Sequence, residues 1–152
     1  MPIFNDHDSF EKLMAFIYDA EGYASNDPKD PGGLTIYGVS THWYPSEVSA
    51  MRTMTKEEAW AYAKDFYYQE FWLKAHCDAI IWPANVCVGD MAINQGQMRA
   101  FNLWTSSGNS WQHFLLKRLR MYGDTKGGDP VLHGHMDRVL NLFDNIESFE
   151  KG

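Results

Sequence analysis

The chain has 152 residues, 45% hydrophobic and 15% aromatic, enough for one domain that buries roughly 68–70% of its unfolded surface. Those values exclude a disordered chain and a disulfide-stapled miniprotein. Twenty acidic against thirteen basic residues leave a net charge of −7, which argues against a general nucleic-acid binder and against simple electrostatic docking on anionic lipid.

The opening Met-Pro-Ile-Phe-Asn-Asp-His-Asp has neither a basic start nor an apolar run, so no signal peptide is expected. The first helix is predicted over Ser9 to Glu21, capped by Asp8 or Ser9, with Phe10, Leu13, Met14 and Ile17 on one stripe. Gly22 is the terminator. Residues 22 to 40 then break the helical pattern. Asn26-Asp27-Pro28 and Asp30-Pro31-Gly32-Gly33 are turn signals, and Leu34 to Ser40 reads as a short hairpin arm.

Thr55-Lys56-Glu57-Glu58 has the form of a capping box and opens a helix running to about Trp72. Pro83 opens a third, holding Val86, Met91, Ala92, Ile93 and Phe101. Ser110 caps a fourth, with Phe114, Leu115, Leu119 and Tyr122 on its apolar side. After a loop at Thr125 to Pro130, a last helix carries Val139, Leu140, Leu142, Phe143 and Ile146. About five helices against one hairpin at residues 33–40 predict a mainly α class. No window approaches eighteen uninterrupted apolar residues, so no membrane-inserted helix is expected. Cys77 and Cys87 form no Cys-x-x-Cys pair and read as two buried thiols, with a single disulfide as the alternative.

The chemistry concentrates between Glu21 and Ser40. Glu21 lies about three helical turns after Phe10 and so falls in line with the apolar stripe. Burial and the negative end of the helix dipole each disfavour a bare carboxylate there, the environment a general acid needs. Asp30 follows nine residues later across a turn-rich loop, and Thr35 five residues after that. Two carboxyls in differing environments are the minimal machinery of glycoside hydrolysis, with the threonine hydroxyl able to hold a water. Each also has an ordinary reading: a solvated Glu beside a terminator glycine, a turn-former before Pro31, a strand residue. Tyr37 is the leading candidate for a sugar-stacking aromatic. Trp43 lies on the other flank of the hairpin, and Trp104 and Trp111 lie near Gly108. Asn94 and Gln97 are further substrate-contact candidates. His133-Gly134-His135 raises a metal reading, but no third ligand is marked.

Glu21-Gly22, Asn26-Asp27-Pro28-Lys29-Asp30-Pro31-Gly32-Gly33-Leu34-Thr35 and Tyr37-Gly38-Val39-Ser40 together resemble the signature of glycoside hydrolase family 108. Its members are N-acetylmuramidases of phages and bacteria with a lysozyme-like fold. Tyr68, Trp72 and the run Asp90, Ala92, Asn94, Gly96 are similar to the family's central segment. Arg118, Tyr122 and Gly134-x-x-Asp137-Arg138-Val139 resemble a peptidoglycan-binding module. The resemblance implies a catalytic part over about residues 1–105 and a wall-binding helical part over about 106–152. It implies Glu21 as general acid on the β-1,4 bond between N-acetylmuramic acid and N-acetylglucosamine, with Asp30 and Thr35 completing the catalytic set. It also implies no cofactor, peptidoglycan as the partner, a monomer, and a phage endolysin held in the host cytoplasm until released to the wall. A non-catalytic wall-binding or phage structural protein, a chitinase-like glycosidase and a bacterial toxin are the alternatives.

Overall fold

A computed structural model describes residues 4–26, 33–125, 128 and 131–151. Among them are seven α-helices and three short strands: α1 (Asp6–Glu21), β1 (Ala24–Ser25), β2 (Thr35–Ile36), β3 (Val39–Ser40), α2 (Pro45–Met51), α3 (Lys56–Tyr67), α4 (Ala84–Gln95), α5 (Gln97–Thr105), α6 (Trp111–Gly123) and α7 (Leu132–Lys151). The chain divides into two compact units, Glu11–Glu70 and Met1–Phe10 with Phe71–Gly152.

In the first unit the strands form one antiparallel sheet in the order β1-β2-β3. The expected hairpin is present, with β1 added as a third strand. Leu13, Met14 and Ile17 of α1 are buried, as are Ile36 and Val39 of the sheet, Val48 and Met51 of α2, and Ala59, Ala63 and Tyr67 of α3. The α3 capping box is complete: the Glu58 N–H donates to Thr55 Oγ1 at 3.2 Å and the Thr55 N–H to the Glu58 carboxylate at 2.9 Å. The helix stops at Tyr67, and Tyr68–Trp72 continues as a wider π-helical turn.

Three expectations are corrected. The α1 cap is neither Asp8 nor Ser9: Asn5 Oδ1 accepts the Asp8 N–H at 2.8 Å, and Ser9 is buried. The helix expected from Pro83 through Phe101 is two helices, because Gly96 turns to φ 95°, ψ 147° and ends α4 before α5 begins. The short helix α2 was not foreseen, although Pro45 occupies its first turn, where its fixed φ is an advantage.

In the second unit, nine consecutive residues of α4, Ala84 to Ala92, are buried. A helix apolar on every side belongs in a core, yet this one carries Asp90, 0% exposed. Two arginines answer it. Arg118 of α6 donates Nη1 to Asp90 Oδ2 at 2.7 Å, and Arg138 of α7 donates Nε and Nη2 to Oδ1 at 3.1 and 2.9 Å. Arg118 also donates Nε to the Tyr122 hydroxyl at 2.8 Å. Trp72, equally buried, donates its indole N–H to Asp6 at 2.7 Å. Cys77 and Cys87 are free and buried, and burial pushes both thiols up.

Burial alone would raise the Asp90 carboxyl, but the charges and hydrogen bonds of Arg138 and Arg118 outweigh it and hold the group below the usual carboxylate range. Its contribution to stability is therefore fully present above the unfolded value of about 3.9 and is lost as pH falls through the lower folded value. Asp90→Asn, which removes the carboxylate charge shared by two guanidinium groups, should lower the unfolding free energy by about 3–5 kcal/mol. Urea unfolding at pH 7 measures this, and repeating it from pH 5 downward should show the parent losing stability that the variant no longer has to lose.

Candidate active site

Glu21 is the last residue of α1. Gly22 follows at φ 67°, its N–H returning to the Tyr18 carbonyl at 3.1 Å. The chain then reverses into β1, where Ala24 pairs with Ile36 and Ser25 with Thr35. The Tyr37 N–H donates to the Tyr23 carbonyl at 2.8 Å. The sheet is thereby tied to the residues immediately after Glu21.

β2 and β3 are joined by the two residues Tyr37 and Gly38, with Ile36 opposite Val39 and Thr35 opposite Ser40. Both turn residues have positive φ, 48° and 81°, as a primed hairpin turn requires. Tyr37 holds a conformation unfavourable for a residue with a Cβ. It is fixed from two directions: the Tyr67 hydroxyl donates to its carbonyl at 2.7 Å, and its own hydroxyl donates to the Lys56 carbonyl at 3.1 Å. Its ring is enclosed by Tyr18, Tyr23 and Trp60 at centroid distances of 5.6, 5.3 and 4.9 Å. Burial, then the neighbouring Tyr18, Tyr23 and Glu57, push its phenol up.

Gly38 is where the turn meets the carboxyl-bearing side chain. A Cβ built on it would stand 2.9 Å from Glu21 Cγ, 3.2 Å from Glu21 Cδ and 2.9 Å from the Tyr67 hydroxyl. Glu21 thus lies directly against the bare backbone of the turn, half-buried, with Tyr67 packed against the same residue. The hairpin is the floor on which the side chain rests.

The other sequence candidates fall as follows. Thr35 sits on β2 between Ser25 and Ser40. Directly opposed residues share a sheet face, so the three hydroxyls form one row. Asp30 lies outside the described residues. Tyr37, proposed as a sugar platform, is only 3% exposed and anchors the turn instead. Trp43, three residues past β3, is 71% exposed, and Tyr18, stacked on Tyr37, is 48% exposed. In the second unit, Asn94 in the last turn of α4 donates Nδ2 to the Asp90 carbonyl at 2.8 Å, and Gln97 opens α5. His133 lies 3.3 Å from Asp137, and His135 stacks on Tyr122. Among the described residues no three His, Cys, Asp or Glu cluster as metal ligands, and no helix is long and apolar enough to cross a membrane. Sequence reasoning missed Tyr67. Its signal was its place on the Ala59, Ala63, Tyr67 stripe, where a buried hydroxyl needs a partner.

Gly33 provides an internal control for Gly38. Both have positive φ, but a Cβ on Gly33 meets nothing within 4 Å. Gly33→Ala should lower stability by about 1–2 kcal/mol through backbone strain alone. Gly38→Ala adds the collision with Glu21 and Tyr67 and should cost about 1–3 kcal/mol more. Chemical denaturation of the two variants side by side tests the difference.

Residues 14–96 match the glycosyl hydrolase 108 family, a span that contains Glu21, the sheet, α3 and α4. Among curated proteins none matches the chain. The solved structure of Brucella abortus SagA is similar in fold, with a TM-score of 0.69 at 22% identity, covering 94% of this chain and 96% of that one. With more than half of its length in the family match, the chain belongs to glycosyl hydrolase family 108 and carries that family's glycosidase fold.

Proposed function

We propose that the protein is a muramidase that cleaves the β-1,4 bond between N-acetylmuramic acid and N-acetylglucosamine in peptidoglycan, with Glu21 as the general acid. The observation that carries this reading is the seating of Glu21 against Gly38. A general acid must be held within hydrogen-bond reach of the leaving oxygen. A glutamate at a helix end would otherwise sweep through several rotamers. The primed turn, itself fixed by Tyr67 and Lys56, removes that freedom on one side.

In this reading Glu21 protonates the glycosidic oxygen as the bond to the sugar breaks. Asp30 takes the general-base role on a water held with help from Thr35, whose hydroxyl stands in the row with Ser25 and Ser40. The attack then comes from the face opposite the leaving group and inverts the anomeric carbon. Trp43, beside the hairpin and open to solvent, is suited to stack on a sugar ring. We assign the protein to phage lysis, acting on the wall after release from the host cytoplasm.

Glu21→Gln preserves the shape of the side chain and removes the acid. It should leave the thermal unfolding midpoint within a few degrees of the parent and reduce release of reducing ends from purified peptidoglycan by about 10²–10⁴-fold. Mass spectrometry of the parent digest should show fragments ending in reducing muramic acid. Cleaved amide bonds, or parent-like activity in Glu21→Gln, would overturn the assignment. Proton NMR of freshly released product should show the α anomer first; β product would replace inversion by retention.

A further inference from the structure

The first unit has a hollow of about 330 Å³ between α1 and α3, lined by Glu11, Met14, Ala15, Tyr18, Asp19 and Trp60. Glu11, Ala15 and Tyr18 follow one another at helical spacing on α1, and Glu21 comes three residues after Tyr18 on the same track. The hollow therefore runs along the helix that ends in the proposed general acid.

The aromatic cluster around Tyr37 already takes ammonium groups on its rings. Lys56 Nζ stands over Tyr23, 4.9 Å from the ring centroid. Lys64 Nζ stands over Trp60 at 6.0 Å and donates to both Glu11 carboxylate oxygens, at 3.3 and 3.2 Å. A cation over an aromatic face with a carboxylate beside it is a favourable arrangement. Tyr18 belongs to the same cluster, stacked on Tyr37 at 5.6 Å and edge-on to Trp60 at 5.1 Å, and it keeps an exposed side. Among the described residues no cation stands over it, and the neighbouring Asp19, also exposed, forms no ion pair. Glu11 and Asp19 against Lys64 leave one negative charge unbalanced at the hollow, beside an aromatic face of the kind that binds ammonium elsewhere in the cluster.

We propose that this hollow binds the side-chain ammonium of the diamino acid in a peptidoglycan stem peptide, and that the enzyme thereby favours strands whose stems are not cross-linked. The choice of ligand rests on the peptidoglycan reading above. The ammonium lies over Tyr18 and donates to the Asp19 carboxylate. Cross-linking converts that amine into an uncharged amide, so a cross-linked stem loses both contacts. The reach agrees. Tyr18 and Glu11 precede Glu21 by about 4.5 and 15 Å along α1, and the diamino acid is the third stem residue, about 10 Å of extended chain from the sugar.

Binding is tested on the full ¹⁵N-labelled chain titrated with the stem tripeptide alanyl-γ-glutamyl-lysine, acetylated at its alanine so that the lysine side chain carries the one ammonium. The Trp60 indole resonance should shift and saturate, and the tripeptide acetylated at lysine Nζ as well should bind about tenfold more weakly. Asp19→Asn, an exposed change, should unfold at the parent's midpoint and bind the lysine tripeptide about fivefold more weakly. Cleavage is tested on peptidoglycan with free amines and on the same wall acetylated with acetic anhydride. The parent should release reducing ends several-fold faster from the first, and Asp19→Asn should lose most of that preference. An unmoved Trp60 resonance, or equal binding of the two tripeptides, overturns the site. If neither wall yields reducing ends while Trp60 still tells the tripeptides apart, the muramidase reading fails and the ammonium site stands. If both walls are cut at the same rate, the selection of uncross-linked strands falls and the muramidase reading stands.

Discussion

The carboxylate of Asp90 is the constraint around which the second unit is organised. It sits in a helix buried on nine consecutive residues, where an isolated charge would be untenable. The structure answers with two guanidinium groups reached from helices 28 and 48 residues further along the chain. One carboxylate therefore fixes α4, α6 and α7 to one another with directional bonds that apolar packing cannot supply. Replacing such a cluster by well-packed hydrophobic residues is often neutral or stabilising, so its value here is in specifying one arrangement of three helices. The same network gives the downstream motif a physical meaning. Asp90, Arg118, Tyr122 and Arg138 belong together because they hydrogen-bond, and they hold the fold.

The first unit solves a different problem with a different device. Glu21 is braced on one side although it ends a helix. The chain leaves α1 through Gly22 and comes back as a strand, bringing a two-residue turn under the carboxyl-bearing arm. The tightness of that approach demands glycine at position 38 for space as well as for φ. Tyr37 accepts an unfavourable φ beside it and is held there by Tyr67 and by its own hydroxyl. Strain of this kind persists only where the surroundings over-determine it. Here they do, through three aromatic rings and these two hydrogen bonds.

What the sequence disclosed follows the range of the interactions involved. The Thr55 capping box and the Ser110 cap are settled within three residues, and both were legible. So was the hairpin, whose turn chemistry is local, and so was the apolar stripe of α1. The break at Gly96 was hidden because apolar residues continue on both sides of it, and α2 is too short for periodicity to register. Tyr37 was misread for a related reason. An aromatic between Thr35 and Gly38 looks available to a sugar until the rings of Tyr18, Tyr23 and Trp60, distant in sequence, are seen to enclose it. Asp90 was visible as part of a pattern, but its partners were not, since nothing local marks an arginine as the answer to a particular buried acid.

The buried donors without partners among the described residues differ in what leaves them so. Arg118 leaves Nη2 unpaired, yet its guanidinium has five donors in a fixed fork. Nε and Nη1 are already engaged by Tyr122 and Asp90, so one leftover proton is the geometric consequence of satisfying the charge. Ser9 also leaves its hydroxyl unpaired, but a hydroxyl on a helix can rotate toward the carbonyl a turn earlier, so a small adjustment answers it. Trp82 has neither excuse. It owns a single donor, the direction of that donor is fixed by the ring, and the ring is wedged between Phe4 and Phe149. Rotation is therefore closed to it, and the indole N–H stands as a cost that the packing of Trp82 on Phe4 and Phe149 has to offset.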